Sequence, residues 1–352
     1  CEEAAMSKEY LVFAYYFNGW WRGETTKWAT DGEDWRLRYP DRIPIAGCYN
    51  GADTMRAEID YASENGVDCF IMLWYHNAGG NYPDTAALNG GIPDFMNSPN
   101  CGKMSFMIED CNHLPFLTES DEDWERNVSY FVECMKHPSY MRVDGKALLK
   151  IHGVYFFAKE CGFNAEKAAA RIALLRKRAR DEGVGELLLC TSAATDEELL
   201  PYLKLFDYYS SYAADIPELT KTEEKYPYAY MKDASYKAVE AFKGLHYVPF
   251  VMGGWDPTPW KDPRPSFAFP TESEWRDMLL SMKKWLDKKP WLGIPCAEGR
   301  QKAFNIYAWN EYGEGGILAP TLGDGDMKLR VLKEVFSEGT KNQTCAANRR
   351  AK

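Results

Sequence analysis

Near the end of the chain, the stretch YAWNEYGEGGILAP (307–320) sets two carboxylates, Glu311 and Glu314, three residues apart among large aromatics and glycines. Two carboxyl groups at one place can divide the work at a glycosidic bond, one protonating the leaving oxygen while the other acts as base or nucleophile. The competing reading is structural: either glutamate caps a helix after the preceding apolar run, or pairs with an arginine inside the fold.

What positions such a pair is legible in the pattern of the whole chain. Short β-branched and aromatic runs read as strands at 10–17, 67–75, 103–110, 146–153, 186–192, 206–212, 246–254 and 303–310. Helical patterns separate them, at 51–66, 121–136, 164–182, 228–243 and 271–288. Asp53 and Gly66 suit the two ends of the first helix, and Thr271 with Glu274 has the spacing of a capping box. Eight strands with intervening helices predict a (β/α)8 TIM barrel over 10–340, a single domain with tails at 1–9 and 341–352. The long segments 18–50, 76–102 and 254–270 are βα connections, which gather at the C-terminal face where barrels of this type place their sites.

The polar and aromatic residues at the strand ends then become the candidate ligand contacts. They are Trp20 after the first strand; Trp74, Tyr75 and His76 after the second; and Glu109 and Asp110, with His113 nearby, at the third. His152 ends the fourth strand, Tyr212 the sixth, Trp255 and Asp256 follow the seventh, and Trp309 and Asn310 precede the glutamates at the eighth. Aromatic faces take the apolar sides of sugar rings, and carboxylates, amides and imidazoles take the hydroxyls, so an oligosaccharide or polysaccharide is the expected partner. His76 and His152 could equally be satisfied core residues, His137 reads as a loop residue, and Trp28 and Trp35 as core beneath the first long loop.

Composition supports this choice. Aromatics make up 14% of the chain, with 12 Trp and 22 Tyr, while the net charge of −10 and the lack of a Lys/Arg cluster argue against a nucleic-acid backbone as partner. No apolar run reaches the eighteen or so residues needed to cross a bilayer. A leading Cys1 followed by EEAAMSKE matches a lipoprotein cysteine after signal-peptide cleavage, or a chain trimmed there; the first reading carries the expectation of an exported periplasmic or cell-surface protein with a lipid anchor at Cys1. Of the 10 cysteines, Cys69, Cys134 and Cys190 sit in apolar runs, and Cys101 and Cys111 are the pair that an oxidising compartment could join. Glu109, Asp110 and His113 match no metal-ligand spacing, so neither a metal nor any other cofactor is expected.

The blocks YYFNGWW, RAEIDYASENGVDCFIMLWY, YVPFVMGGWDPTPW and YAWNEYGEGGILAP together resemble glycoside hydrolase family 99 and its WbsX-like relatives. That resemblance implies a (β/α)8 endo-acting α-mannosidase or α-mannanase, retaining, with Glu311 as base on the 2-hydroxyl of the substrate and Glu314 as general acid and base. The implied nucleophile belongs to the sugar, and its intramolecular attack gains effective molarity from geometry. The chain departs from the family in carrying Gly313 where the endomannosidases have a histidine, Tyr312 for a tryptophan, and IEDCNHLPF at the third strand in place of WANENW. A glycosyl-transferring or polysaccharide-modifying barrel, and a non-catalytic carbohydrate-binding protein, stand as alternatives.

Overall fold

A computed structural model describes residues 8–336 apart from 24, 78–83 and 215; Cys1 and the C-terminal tail lie outside this range. The expected barrel is formed. Its strands are β1 (Tyr10–Tyr16), β2 (Cys69–Trp74), β3 (Ser105–Asp110), β4 (Lys146–Ile151), β5 (Leu187–Ser192), β6 (Tyr208–Ser210), β7 (Tyr247–Val248 and Phe250–Met252) and β8 (Gly299–Tyr307). Each pairs in parallel with the next, and β8 returns to β1 with Tyr10 opposite Lys302 and Ala14 opposite Ile306.

Closure falls on a broken strand. Pro249 has no N–H to give to a ladder. The two halves of β7 therefore serve different neighbours: Tyr247–Val248 pairs with β6, and Phe250–Met252 pairs with β8. The Pro249 carbonyl still accepts the Asn305 N–H at 2.8 Å.

A helix follows each strand: α1 (Ala52–Glu64), α2 (Gly91–Met96), α3 (Asp121–Met135), α4 (Ala165–Asp181), α5 (Leu200–Leu203), α6 (Ala229–Ala241), α7 (Glu272–Lys288) and α8 (Met327–Phe336). The capping box of α7 is made as expected by Thr271 and Glu274. At α1 the cap is instead Gly51, with Asp53 inside the first turn, and the helix ends at Asn65 before Gly66. None of the described helices is long and apolar enough to cross a membrane. Cys101 and Cys111 are both free thiols, so the pairing that an oxidising compartment would allow is not made.

Strand alternation decides which side chains reach the barrel interior, because successive residues point to opposite faces. Phe13, Ile71, Met107, Lys150, Cys190, Tyr208 and Asn305 line one internal layer, so odd positions face inward on β1, β2, β3 and β8, and even positions on β4, β5 and β6. Polar groups enter this layer only with partners. The Lys150 ammonium donates to the Tyr15 hydroxyl at 2.7 Å, and the Asn305 amide donates to that hydroxyl at 3.1 Å.

Candidate active site

Beyond β8 the chain forms a small hairpin, Asn310–Glu311 against Gly316–Ile317, whose tip carries Tyr312, Gly313, Glu314 and Gly315. The glutamates therefore belong to a hairpin and not to a helix. Arg42, itself buried, holds the tip from beneath: one nitrogen donates to the carbonyls of Asp256 at 2.8 Å, Tyr312 at 2.9 Å and Gly313 at 3.3 Å, and the other pairs with the Asp256 carboxylate. Asp256 also returns its own N–H to the Glu314 carbonyl at 2.7 Å. A single buried guanidinium thus ties the loop after β7 to the loop after β8.

Two glycines permit this closeness. Gly315 has φ +82°, in the left-handed region, and a Cβ there would lie 2.8 Å from the Asp256 nitrogen. At Gly313 a Cβ would meet the Trp260 indole at 2.0 to 2.5 Å. Trp260 in turn is anchored by its Nε1–H to the Lys27 carbonyl at 3.0 Å.

Glu311 and Glu314 both face a cleft of about 870 Å³ at the C-terminal end of the barrel, within the size range of sites that bind small ligands. Tyr75, His152, Tyr212 and Trp255 share this cleft, joined by Phe17, His113, Trp260, Arg264 and Lys221. Tyr212 donates to Glu311 Oε1 at 3.1 Å, while Oε2 of Glu311 is buried with no hydrogen-bond partner among the described residues. Tyr307 donates to Glu314 Oε2, and Arg264 donates to Oε1 at 3.0 Å.

These surroundings set the charges. Burial, and then repulsion from Glu314, holds the Glu311 carboxyl well above the usual carboxylate range. Burial raises Glu314 as well, against the opposing pull of the Tyr307 hydroxyl and Arg264. Because the charge of Glu314 acts on Glu311, the two carboxyls do not titrate independently.

On the facing side of the cleft, Glu109 sits fully buried behind His152, with Oε1 2.6 Å from Nδ1 of the imidazole and Oε2 3.0 Å from the Lys150 ammonium. Burial would raise this carboxyl, but Lys150 and His152 overcome it and leave Glu109 below the ordinary range. With Nδ1 held against Glu109, the imidazole of His152 is fixed in one orientation where it lines the cleft. Glu109, His152 and the Cys111 thiol lie close enough together to resemble a metal-ligand set. The Lys150 ammonium already occupies the outer oxygen of the carboxylate, which disfavours a cation at that place.

Seven other strand-end candidates lie away from the cleft, and alternation explains three of them. Trp74, His76 and Asp110 are one residue out of phase with inward-facing Leu73, Tyr75 and Glu109. Trp74 packs on Phe131 of α3 with ring centres 4.8 Å apart, and His76 receives the Asn127 amide at 3.3 Å. Asp110 is fully buried, with both carboxyl oxygens lacking hydrogen-bond partners among the described residues; burial, then Glu160, raises it well above its ordinary range. Trp20 belongs to an aromatic cluster with Trp28 at 4.3 Å and Tyr312 at 5.0 Å, and Trp28 stacks on Tyr312. Trp309 is completely buried against Phe70, so it offers no face to a sugar. Asn310 clamps the end of β1 by accepting the Phe17 N–H at 2.8 Å and donating to its carbonyl at 2.9 Å. Asp256 is taken up by Arg42 and, at 2.9 Å, Lys225.

Trp260 and Arg264 are cleft residues that the strand-end census passes over. Both lie well inside the 254–270 connection, where distance from the strand end removes the positional signal. The WDPTPWKDPRP run, rich in proline and aromatics, is the trace they leave in the sequence.

Fold and cleft together define a single (β/α)8 barrel with a paired-carboxylate site at its C-terminal face. The family model described as glycosyltransferase WbsX matches residues 39–332, and the chain belongs to that family. Among solved structures it is similar to the GH99 endo-alpha-mannosidase from Bacteroides thetaiotaomicron in complex with bis-tris-propane, at 17% identity and a TM-score of 0.58, over 92% of this chain and 95% of that one. It is also similar to GH5_18 from Streptomyces cattleya in complex with GlcNAc, at 11% identity and a TM-score of 0.51, over 94% and 79% of the two chains. A search of curated proteins finds no match.

Proposed function

We propose that the protein is a glycoside hydrolase that cleaves an α-linked, mannoside-like glycan with retention, using Glu311 as base on the 2-hydroxyl of the substrate and Glu314 as general acid and then base. The observation that carries this reading is that one hairpin delivers both carboxyls into one cleft, where each has a raised proton affinity. Ordinary retaining enzymes set an acid and a nucleophile about 5–5.5 Å apart on opposite sides of the bond. Two carboxyls from the same hairpin suit a mechanism in which the nucleophile is the sugar's own hydroxyl and the protein supplies only proton transfer.

The productive arrangement has the proton on Glu314 and the charge on Glu311. Ionised Glu311 in this water-poor setting is a strong base, because the burial that raises its proton affinity also sharpens its demand for the hydroxyl proton. Tyr212, which holds Glu311, with His152 and Tyr75 supplies aromatic faces and polar edges for the ring being cleaved and its neighbours, while Trp255 lines the cleft beneath Arg264. The similarity to the endo-alpha-mannosidase fold supports the substrate class.

Glu311→Gln and Glu314→Gln, assayed against a panel of α-linked manno-oligosaccharides with circular dichroism as the folding control, test the assignment. Each variant is expected to lose activity and keep its fold; full activity in either removes that residue from the mechanism. The family description, with Lys221 and Arg264 both lining the cleft, gives a second reading in which the cleft takes the diphosphate of a nucleotide sugar. Calorimetric titration with GDP-mannose separates the two, since the hydrolase reading expects no binding.

A further inference from the structure

We propose that Arg264 is a positioning residue that sets the order in which the two cleft carboxyls ionise, keeping Glu314 the ionised member until a ligand enters the cleft. The catalytic meaning of this inference rests on the hydrolase reading, whereas the ion pair itself does not.

The guanidinium is held in three ways. Asp262 binds it through both carboxylate oxygens at 2.8 to 3.1 Å, the Trp255 ring lies beneath it at 4.4 Å, and Pro263 and Pro265 restrict the backbone on either side. Its remaining reach goes to Glu314 Oε1 at 3.0 Å, while Tyr307 takes the other oxygen. Glu311 has nothing equivalent. One neutral hydroxyl, from Tyr212, touches it, and the charges of Arg264 and Lys27 act on it without contact. Asp262 is an acidic group that also acts on Glu314, and its charge is already engaged by Arg264. Given one proton between two carboxyls, the member in contact with a cation gives it up.

This is the reverse of the arrangement that cleavage needs. For Glu314 to act as acid, Arg264 has to release it, and the Arg264 side chain, which is half exposed, lines the cleft, where hydroxyls of an incoming sugar can compete for its donors. The empty enzyme thus holds its acid disarmed, and filling the leaving-group side of the cleft arms it.

The test titrates the empty full-length protein carrying glutamate labelled with 13C at the side-chain carboxyl, with the two resonances assigned by their loss in E311Q and E314Q. In R264M the Glu314 carboxyl is expected to ionise at higher pH, with about a tenfold lower ratio of ionised to protonated form at fixed pH, and to move further than Glu311. R264K should fall between R264M and the parent, since it keeps the charge without the fork. R264Q, which keeps a polar side chain of similar reach without the charge, should displace Glu314 in the same direction as R264M, and it carries the decision if R264M does not fold. An unmoved Glu314, or equal displacement of both carboxyls, overturns the proposal. A parent protein inactive on every glycan would overturn the hydrolase reading and leave the titration result standing.

Discussion

Glu109 and Glu311 are both glutamates buried near the C-terminal end of the barrel, on opposite sides of one cleft, yet they are opposites electrostatically. Glu109 has a lysine and a histidine on its two oxygens and remains ionised; Glu311 has one tyrosine and an orphaned oxygen and is pushed toward the protonated form. Burial alone thus does not say what a carboxylate does. A buried carboxylate paired with a cation is architecture, here the brace that fixes the orientation of His152, whereas one with no cation in contact keeps reactivity for a ligand to use.

The sharpest way to break this contrast is to neutralise each glutamate. Glu311→Gln should cost on the order of 10²–10⁴-fold in kcat, read by steady-state kinetics, because a general base is removed. It should not cost stability. The fold prefers the protonated form of Glu311, so its contribution is full below the ordinary carboxylate range and falls as pH rises through the raised folded value. Thermal unfolding across pH should therefore show, in the variant, a shallower decline as pH rises above the ordinary carboxylate range. Glu109 has the reverse sign, its contribution being present above the unfolded carboxylate range and lost as pH falls.

Lys150→Met attacks the other side of the comparison. It leaves Glu109 buried with His152 but without its lysine counter-charge, and chemical denaturation should register a loss of up to about 3–5 kcal/mol. Tyr212→Phe is subtler: removing the hydroxyl that favours ionised Glu311 should move the acidic limb of the kcat/KM profile to higher pH, with protein stability little changed. The smallest effect is expected at Asp110, which faces away from the cleft and prefers to be neutral. Asp110→Asn should leave activity within about twofold of the parent, as suits a residue remote from the chemistry. A larger loss would return Asp110 to the site.

The sequence carried the barrel more fully than the site, and the reason is periodicity. Seven of the eight apolar runs contain their strands, since consecutive apolar residues buried on both faces mark a parallel strand without needing its phase; the eighth strand begins earlier, at Gly299, where the polar GRQK stretch hides it. A site needs the phase. Tyr75 and His76 are adjacent in the chain and face different layers, and a run such as VDCFIMLWYHN offers no alternation from which to choose between them. His152 and Glu109 could be placed together only once β3 and β4 were known to be neighbours in register, with Glu109 opposite Lys150. Arg264 was beyond reach for another reason: its place in the cleft comes from the folding of a long loop, which repeats no pattern. Even the break in β7 is visible only in hindsight, as a proline standing inside an apolar run.

The fit of Trp260 against Gly313 reaches beyond the present sequence. Because the indole fills the space a side chain would need, the effect of a change at 313 is conditional on 260: alanine there clashes while the ring is present and becomes tolerable when the ring is reduced. The histidine that family 99 endomannosidases carry between their glutamates is therefore not one substitution away. An evolutionary or laboratory path toward it has to pass through a smaller residue at 260 first, which makes the order of the two changes, and not merely their sum, the thing under selection.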